Sequence, residues 1–460
     1  MTDNLHSDLG MAAPTPLIDN VDLDHVVARA SDGQARTLAN LVADANALCR
    51  HLPPGGALLN VCEDRYRFAV GFVSCLLSGR VSLQPSSQSA ATLQQMREAY
   101  PDVVCLCDGL YDTAGLPRVD FPSSLEGSGD AVTAMPMVDG DRVVAVLFTS
   151  GSTGLPQPHG KTWAKLKRNG LVEAQRLGLM SQSHSVVGTV PVQHSYGFES
   201  TFLMGLHGHA CFGTGKPFFP QDIADSLAAM PEPRLLVTTP FHLSALVDSG
   251  VTVPPLAMVL SATAPLPADL ARRAEAALVA PVHEIYGSTE SSQLASRRTL
   301  DGDVWTLLEG VELSQEDDIT SASGGHVEGV VPLSDVIELF PGHRFRLLGR
   351  HADMINIAGK RTSLAYLNHQ LQAIEGVEDG AFFLPEVEGK DNLGVHRLVA
   401  FVRAPNLDRP ALTQALHGCI DPVFMPRPLV WVSELPRNDT GKILRSTLEA
   451  LYEREVLRRG

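Results

Sequence analysis

The sequence predicts an α/β protein: a large N-terminal domain with parallel sheets covered by helices, followed by a small α+β C-terminal domain. Short apolar runs alternate with amphipathic segments through most of the 460 residues, which is typical of parallel strands joined by helices. After residue 350 the pattern changes to a compact α+β one of about a hundred residues, a usual size for a small domain. We therefore expect domains at residues 1–350 and 351–460.

Individual elements follow from the apolar runs and their periodicity. The predicted strands are residues 143–148, 235–238, 258–260 and 282–285, and the predicted helices are residues 163–179 and 267–279. Residues 108–130 are interpreted as a long surface connection. Ligands of open α/β sheets gather at the carboxyl ends of the strands, so the segments TSGSTG, LSATAP and IYGSTES are expected to face one pocket.

Composition excludes several classes of protein. The 52 acidic and 36 basic residues give a formal charge of -16 without a long Lys/Arg run, which argues against a nucleic-acid partner. The seven cysteines are odd in number and most lie in apolar runs, so buried, reduced thiols are expected and a zinc site is not. Neither a signal peptide nor a membrane span is recognisable, and we expect a cytoplasmic protein.

The segment TSGSTGLPQPHGKTW, residues 149–163, has two interpretations. One is the P-loop G-x-x-x-x-G-K-[ST], because GKT ends the segment. Counting back from Gly160, however, the first required glycine falls on Leu155, while Gly154 lies one residue too far away. Two prolines also remove N–H donors that a P-loop needs around phosphate. A P-loop NTPase is therefore the weaker alternative.

The other interpretation assigns phosphate binding to the first half of the segment. Glycines allow close approach of the backbone, and hydroxyl and N–H groups donate to phosphate oxygens. The candidate residues are Thr149, Ser150, Gly151, Ser152, Thr153 and Gly154. TSGSTGLP resembles the phosphate loop of the adenylate-forming (ANL) superfamily, which contains acyl- and aryl-CoA synthetases, peptide-synthetase adenylation domains and luciferases.

Two further motifs carry the same resemblance. SATAPLP, residues 261–267, is similar to the family segment beside adenine, and YGSTE, residues 286–290, is similar to the family's YGxTE signature. The resemblance implies that Tyr286 stacks on adenine, that Thr289 binds the α-phosphate and that Glu290 ligates Mg²⁺. Magnesium prefers carboxylate and phosphate oxygens. The remaining nucleotide-binding candidates on these motifs are Ala262, Thr263, Gly287 and Ser288.

The last motifs lie around and beyond residue 350. Asp335 precedes Arg350 by 15 residues, the spacing of the family's TGD aspartate and GR arginine, so both are expected to bind the ribose hydroxyls; here LSD replaces TGD. PRNDTGKILR resembles the C-terminal motif whose lysine drives adenylation, which makes Lys442 the implied catalytic residue together with Thr289 and Glu290. The resemblance also implies that the small domain is mobile.

The chain departs from the family pattern at two places. Gln157 stands where a lysine usually follows the loop's proline, and Lys161 is our candidate for a partial replacement. On that hypothesis Lys161→Ala weakens the apparent affinity for ATP. At the domain boundary Ala352, followed by Asp353, occupies the family's hinge position. These departures prompt a second alternative, a nucleotide-binding pseudo-enzyme of the same fold.

The implied reaction converts a carboxylic acid and ATP into an acyl-adenylate and then a thioester. ATP, Mg²⁺ and CoA, or the phosphopantetheine of a carrier protein acting in trans, are the expected cofactors and partners, and residues 359–361 match the family segment that lines the thiol's path. The acid-pocket candidates are His194, Ser261 and Gly287, with Ala262 leaving space for an aryl or medium-chain acid. The PQPHxKTW variant resembles short ligases of aryl-polyene pigment clusters, which favours a hydroxybenzoate or hydroxycinnamate.

Overall fold

A computed structural model describes most of the chain. The described residues are 14–19, 22–30, 32–85, 90–125, 130–149, 157–317, 319–350, 354–357, 360–385, 397–437 and 443–457. Several predicted site residues lie outside them: Ser150, Gly151, Ser152, Thr153, Gly154, Ala352, Asp353 and Lys442.

The described strands are β1 (Thr15–Pro16), β2 (Val26–Arg29), β3 (Ala35–Thr37), β4 (Ala57–Asn60), β5 (Val81–Gln84), β6 (Val104–Cys107), β7 (Arg118–Asp120), β8 (Met137–Val138), β9 (Val143–Thr149), β10 (Gln157–Thr162), β11 (Ser185–Gly188), β12 (Cys211–Gly213), β13 (Arg234–Thr238), β14 (Met258–Ser261), β15 (Val282–Ser288), β16 (Ser292–Arg298), β17 (Val304–Leu307), β18 (Val311–Glu316), β19 (Ile319–Gly324), β20 (Val330–Pro332), β21 (Asp335–Phe340), β22 (Arg344–Arg350), β23 (Met354–Ile357), β24 (Lys360–Ser363), β25 (Asp379–Phe383), β26 (Val399–Arg403) and β27 (Leu429–Trp431).

The described α-helices are α1 (Leu38–His51), α2 (Arg65–Ser78), α3 (Ala90–Ala99), α4 (Trp163–Arg176), α5 (Met204–His207), α6 (Pro220–Ala228), α7 (Pro240–Ser249), α8 (Ala268–Leu278), α9 (Leu364–Gln372), α10 (Arg409–Cys419) and α11 (Arg445–Tyr452). A π-helix over Gly197–Leu203 runs directly into α5. None of the helices in the described part of the chain is long and apolar enough to cross a membrane.

Two large sheets organise the first 350 residues. The six-stranded sheet has the order β10-β9-β5-β4-β6-β7 and is parallel except where β10 returns antiparallel to β9. The eleven-stranded sheet has the order β21-β22-β17-β16-β15-β14-β13-β11-β12-β2-β3, with a parallel centre from β2 to β15. The central strands are almost fully buried, which explains their continuous apolar sequences.

The C-terminal residues form separate small cores. A hairpin of β23 and β24 precedes α9, and β25, β26 and β27 form a three-stranded sheet. One apolar cluster contains Ile355, Leu367, Phe382 and Leu416, and another contains Phe383, Phe401 and Leu451. Neither cluster includes a residue from before position 355, in keeping with the boundary expected near Arg350, which stays a prediction.

The sequence located the predicted strands correctly and erred at some boundaries and connections. All four predicted strands are present as β9, β13, β14 and β15, and the predicted helix 267–279 is α8. The other predicted helix ends at Arg176 rather than residue 179, because Gly178 adopts a left-handed conformation with φ of 73°. The connection 108–130 contains β7, which pairs with β6 at the sheet edge.

The strand that follows the glycine loop, β10, was not predicted. The sequence predicted that the glycine loop leads directly into a helix, whereas β10 lies between them and pairs along the whole of β9. Its sequence, QPHGKT, has a proline and a glycine, which strand propensities disfavour. An edge position explains why they are tolerated: β10 needs hydrogen bonds on one side only.

Candidate active site

The site candidates cluster where parallel strands of the eleven-stranded sheet end. Ser261 at the end of β14 pairs with Thr238 of β13 and with Glu284 of β15. The following loop is fastened to β15, because the backbone N–H of Leu266 donates to Glu284 Oε1 at 3.2 Å. Glu284 itself is held by Arg297 at 2.6 Å. The SATAP and YGSTE segments therefore lie side by side, as the sequence predicted.

Tyr286 and Asp335, which lie 49 positions apart in sequence, meet directly. The Tyr286 hydroxyl donates to Asp335 Oδ2 at 2.8 Å, and the ring packs at centroid distances of 5.7 Å from Trp305 and 5.5 Å from Phe345. Asp335 begins β21, and its cross-strand partner in β22 is Arg350. The three residues predicted to bind adenine and ribose thus share one corner of the sheet.

The turn after β15 is held by reciprocal serine bonds. The backbone N–H of Ser288 donates to Ser291 Oγ at 3.1 Å, and the N–H of Ser291 donates to Ser288 Oγ at 3.2 Å. Ser291 Oγ also donates to the carbonyl of Ser292 at 2.9 Å. Between these serines are Thr289 and Glu290, whose side chains are consequently presented from a turn with little freedom.

The two central residues of the turn face different neighbours. Thr289 Oγ1 lies 3.2 Å from Ser195 Oγ, which follows His194 in the VQHSYGFES segment. Glu290 is 40% exposed, and its Oε1 lies 3.9 Å from His159 Nε2 on β10. Burial, partly opposed by Glu290, lowers the pKa of His159. Glu290 is therefore accessible to a ligand on one side and bordered by a mainly neutral imidazole on the other.

The donor set at this turn fits magnesium. Mg²⁺ is usually held by one or two carboxylates together with substrate phosphates and waters, and not by a protein cage. Glu290 supplies one exposed carboxylate, and among the described residues no cluster of three or more His, Cys, Asp or Glu could hold a metal alone. The site therefore suits a cation that arrives with a phosphate ligand.

β10 joins the two sheets at this turn. Gln157 pairs with Thr149, so β9 ends and β10 begins at the same end of the six-stranded sheet. Further along β10, the Lys161 ammonium is only 1% exposed and donates to the Glu290 carbonyl at 2.9 Å and to Ser292 Oγ at 3.0 Å. The prediction that Lys161 binds ATP stays a prediction, but its described bonds are to the Glu290 turn.

The GKT sequence is engaged by protein groups. Besides the two bonds from Lys161, the backbone N–H and the hydroxyl of Thr162 both donate to Glu328 Oε1 at 2.7 Å. A P-loop requires this lysine and threonine to face phosphate and its magnesium ion. Their placement therefore removes the basis for a P-loop NTPase.

The acid-pocket candidates differ in their surroundings. His194 Nδ1 accepts from the backbone N–H of Tyr196 at 3.2 Å, so this imidazole has a local structural role whatever else it binds. A Cβ on Gly287 would collide with the carbonyl oxygen of Ser292, so glycine is required by the close approach of β16. The buried hydroxyls of Ser261 and Thr263 have no hydrogen-bond partner among the described residues.

Sequence reasoning did not single out three residues near the site. They are Ser195, beside Thr289, and two fully buried acids, Glu173 on α4 and Glu199 on the π-helix. Ser195 and Glu199 belong to the segment VQHSYGFES, which the family resemblance implied as a pocket lining, whereas Glu173 was missed altogether. Burial raises the pKa of Glu173 to about 8 and that of Glu199 to about 7. The available signal was a glutamate inside the apolar run GFESTFLMG, where an acid is rarely buried without a partner.

The geometry defines an α/β protein whose candidate site is built from strand-end loops. Comparison with known proteins identifies its family: residues 34–321 match the family model described as AMP-binding enzyme. The chain therefore belongs to the AMP-binding enzyme family, within the adenylate-forming superfamily, and is an AMP-forming acid–thiol ligase.

Individual relatives agree with that assignment. A 4-coumarate–CoA ligase of Rhodobacter capsulatus is 29% identical over 308 residues, covering 63% of this chain and 75% of the relative. A 4-chlorobenzoate–CoA ligase of Arthrobacter is 25% identical, covering 70% and 68%. The fold matches o-succinylbenzoate CoA synthetase of Bacillus subtilis in complex with ATP and magnesium ion, with a TM-score of 0.78, 18% identity and coverage of 93% and 97%.

Proposed function

We propose that this ligase activates an aryl carboxylic acid, or else a medium-chain acyl acid, to its adenylate and passes the acyl group to a pantetheine thiol. The observation that carries the proposal is the convergence of Tyr286, Asp335, Thr289 and Glu290 on one sheet edge. These side chains supply an aromatic face, a ribose acceptor, a hydroxyl and a carboxylate for a cation.

In the first half-reaction an oxygen of the substrate carboxylate attacks the α-phosphorus of ATP. The bond from that phosphorus to the bridging oxygen breaks, and pyrophosphate leaves with its electrons. Magnesium, when bound, neutralises phosphate charge. The Thr289 hydroxyl, aligned by Ser195, donates to the α-phosphate, and the Lys442 ammonium stabilises charge that develops during transfer.

In the second half-reaction the thiol sulfur attacks the acyl carbon, the acyl–phosphate bond breaks and AMP leaves, while the thiol proton passes to solvent. We propose that residues 351–460 rotate as a mobile domain between the two half-reactions, withdrawing Lys442 and bringing residues 359–361 to the thiol's path. Hinge rotation needs only a few residues that absorb the change in dihedral angles.

An aryl acid is favoured over an aliphatic one by two considerations. The relatives named above act on 4-coumarate and 4-chlorobenzoate. The small side chain of Ala262 leaves room for a flat ring, whereas the space beside Gly287 is filled by the Ser292 backbone. Ser261 and Thr263 offer buried hydroxyls without a partner among the described residues. A phenolic or other polar substituent on the acid is the proposed complement of those hydroxyls.

The first half-reaction is tested by ATP–pyrophosphate exchange with benzoic, cinnamic, short-chain and long-chain acids, with Lys442→Ala run in parallel. Exchange with one acid class, absent in the variant, is expected. Exchange that survives in the variant would remove Lys442 from the proposal. Silence of the wild type across the panel, with ATP still bound, would favour the pseudo-enzyme.

The acceptor is tested separately, once an acid is known. The wild type is incubated with the acid, Mg²⁺ and ATP, and then with CoA or with a phosphopantetheinylated carrier protein. Thioester formation is followed by mass spectrometry. Acylation of CoA alone assigns a CoA ligase, and preferential acylation of the carrier assigns a carrier-protein ligase. Hydrolysis of the adenylate without any thioester would contradict the second half-reaction.

A further inference from the structure

Two buried charged side chains lie directly beneath the turn that carries Glu290. Lys161 is 1% exposed and Glu199 is 2% exposed. The Lys161 ammonium donates to the Glu290 carbonyl and to Ser292 Oγ. Burial raises the pKa of the Glu199 carboxyl, and the positive charge of Lys161 partly opposes that rise. Lys161 thus holds the backbone of Glu290 and the Ser292 hydroxyl, with the Glu199 carboxyl nearby.

Each of these residues comes from a different element. Lys161 belongs to β10 of the six-stranded sheet, Glu199 to the π-helix, and Ser292 to the start of β16. Ser292 has φ of 61°, a left-handed conformation that costs a residue other than glycine about 1 kcal/mol. The bond from Lys161 on β10 therefore helps to hold the chain in a conformation it disfavours, two residues after the predicted metal ligand.

Stability alone explains such an arrangement poorly. Taking two charges out of water costs roughly several kcal/mol per ion. Well-packed apolar residues of similar volume often give a protein equal or greater stability. Glu199 Oε1 is also left without a hydrogen-bond partner among the described residues. π-helical turns occur frequently at functional sites. A cation and an anion placed here favour a role in the geometry of the turn.

We propose that Lys161, supported by the nearby Glu199 carboxyl, is a positioning residue: through its bonds to the Glu290 carbonyl and to Ser292 Oγ, it holds the Glu290 carboxylate in the direction in which it binds magnesium. The inference rests on the proposed role of Glu290. It also assigns the Lys161 charge to the turn and not to the phosphates of ATP. Removing the Lys161 ammonium frees the Glu290 backbone from beneath and leaves the exposed carboxylate chemically intact.

The test is a calorimetric titration of ATP into the full-length protein, once with excess Mg²⁺ and once with EDTA. The variants are Lys161→Met and Glu199→Gln. Lys165→Met is the matched control, because its ammonium donates to the Gly325 carbonyl at 2.7 Å and has no described bond to the Glu290 turn. Circular dichroism and thermal melting establish that each variant is folded.

Outer partners of a metal ligand typically contribute about 10- to 100-fold to metal affinity. Lys161→Met is therefore expected to reduce the gain in ATP affinity produced by Mg²⁺ by about that factor, with affinity in EDTA unchanged. Glu199→Gln keeps the shape of the side chain and removes the charge that attracts Lys161, so it is expected to show a smaller loss of the same kind. Lys165→Met is expected to retain the wild-type gain.

Two results would overturn the proposal. An equal loss of affinity with and without Mg²⁺ would mean that Lys161 contacts ATP directly, and an unchanged gain in folded variants would mean a purely structural pair. If Lys161→Met does not fold, Glu199→Gln decides by the same criterion. The titration needs no carboxylic acid. Absence of ATP–pyrophosphate exchange would therefore contradict only the proposed acid activation, whereas failure of the wild type to bind ATP would contradict both proposals.

Discussion

Neighbouring strands β14 and β15 end in two loops of small hydroxyl residues that behave in opposite ways. After β14, the buried hydroxyls of Ser261 and Thr263 find no partner among the described residues. After β15, Ser288 and Ser291 hydrogen-bond to each other and to the backbone of their own turn. Buried polar groups are normally satisfied, so the first loop is suited to receive a ligand and the second to hold one side chain still.

The comparison also separates two uses of sequence motifs that look alike. Both loops were singled out because they follow strands, contain small polar residues and resemble family motifs. The structure distinguishes the hydroxyls available for binding from those that build the framework. Substitutions in the two loops test that distinction. The largest effect is expected at Glu290, the exposed carboxylate of the turn after β15.

Glu290→Gln is expected to reduce the rate of ATP–pyrophosphate exchange by about a hundredfold or more, the scale on which loss of one electrostatic contact at a reacting centre is felt. The amide keeps the shape of the side chain and removes its charge. The measurement is exchange at several Mg²⁺ concentrations with the melting temperature as a control for folding. Full activity at low Mg²⁺ would mean that the turn presents no metal ligand.

Gly287→Ala is expected to destabilise the protein by about 1–3 kcal/mol, the usual cost of forcing an extra methyl group into a packed region. The new Cβ would collide with the Ser292 carbonyl oxygen, so exchange activity should fall as the turn shifts. Urea denaturation measures the change.

Gly418→Ala is the matched control for Gly287→Ala. Its Cβ meets nothing within 4 Å on α10, so it should preserve or increase stability. Equal behaviour of the two variants would show that β16 does not confine the turn.

Ser291→Ala and Ser261→Ala form a matched pair, because both side chains are fully buried. Ser291→Ala removes bonds to Ser288 and Ser292 and should cost about 1 kcal/mol or more. Ser261→Ala removes a hydroxyl without a described partner, so stability should be unchanged while KM for the acid or for ATP rises. A stability loss at Ser261 equal to that at Ser291 would erase the distinction between the two loops.

The smallest expected effect concerns pH. Burial raises the pKa of Glu173 to about 8 from its ordinary 4.5, so the folded protein keeps a proton that the unfolded chain loses near pH 4.5. The stability that this group contributes is complete below that pH and is lost as the pH rises towards 8.

Glu173→Gln should therefore flatten the decline of the urea midpoint between about pH 5 and pH 8. The glutamine retains an acceptor for the Ser200 hydroxyl, which bonds to Glu173 Oε1 at 2.7 Å in the wild type. Identical pH profiles for the two proteins would mean that Glu173 is ionised beneath the turn and stabilised there.

The sequence by itself determined the fold class, the positions of the parallel strands and the family of motifs. The apolar runs of β9, β13 and β14 can be recognised as strands from the sequence alone. A strand that is buried on both faces has apolar residues at nearly every position, and this gives a continuous apolar run. The spacing of Asp335 and Arg350 likewise predicted a shared role, and the register of β21 against β22 makes them direct partners.

Tertiary structure alone decided which of the candidate polar side chains bond to the protein itself. Lys161 lies in the segment that also suggests phosphate binding, yet its ammonium is buried against a turn 129 positions away in sequence. No local pattern encodes such a contact, because it depends on how the edge of one sheet meets the strand ends of another. For the same reason the sequence did not reveal β10 or the roles of Glu173 and Glu199. The position of each depends on residues that are near in space and distant in the chain.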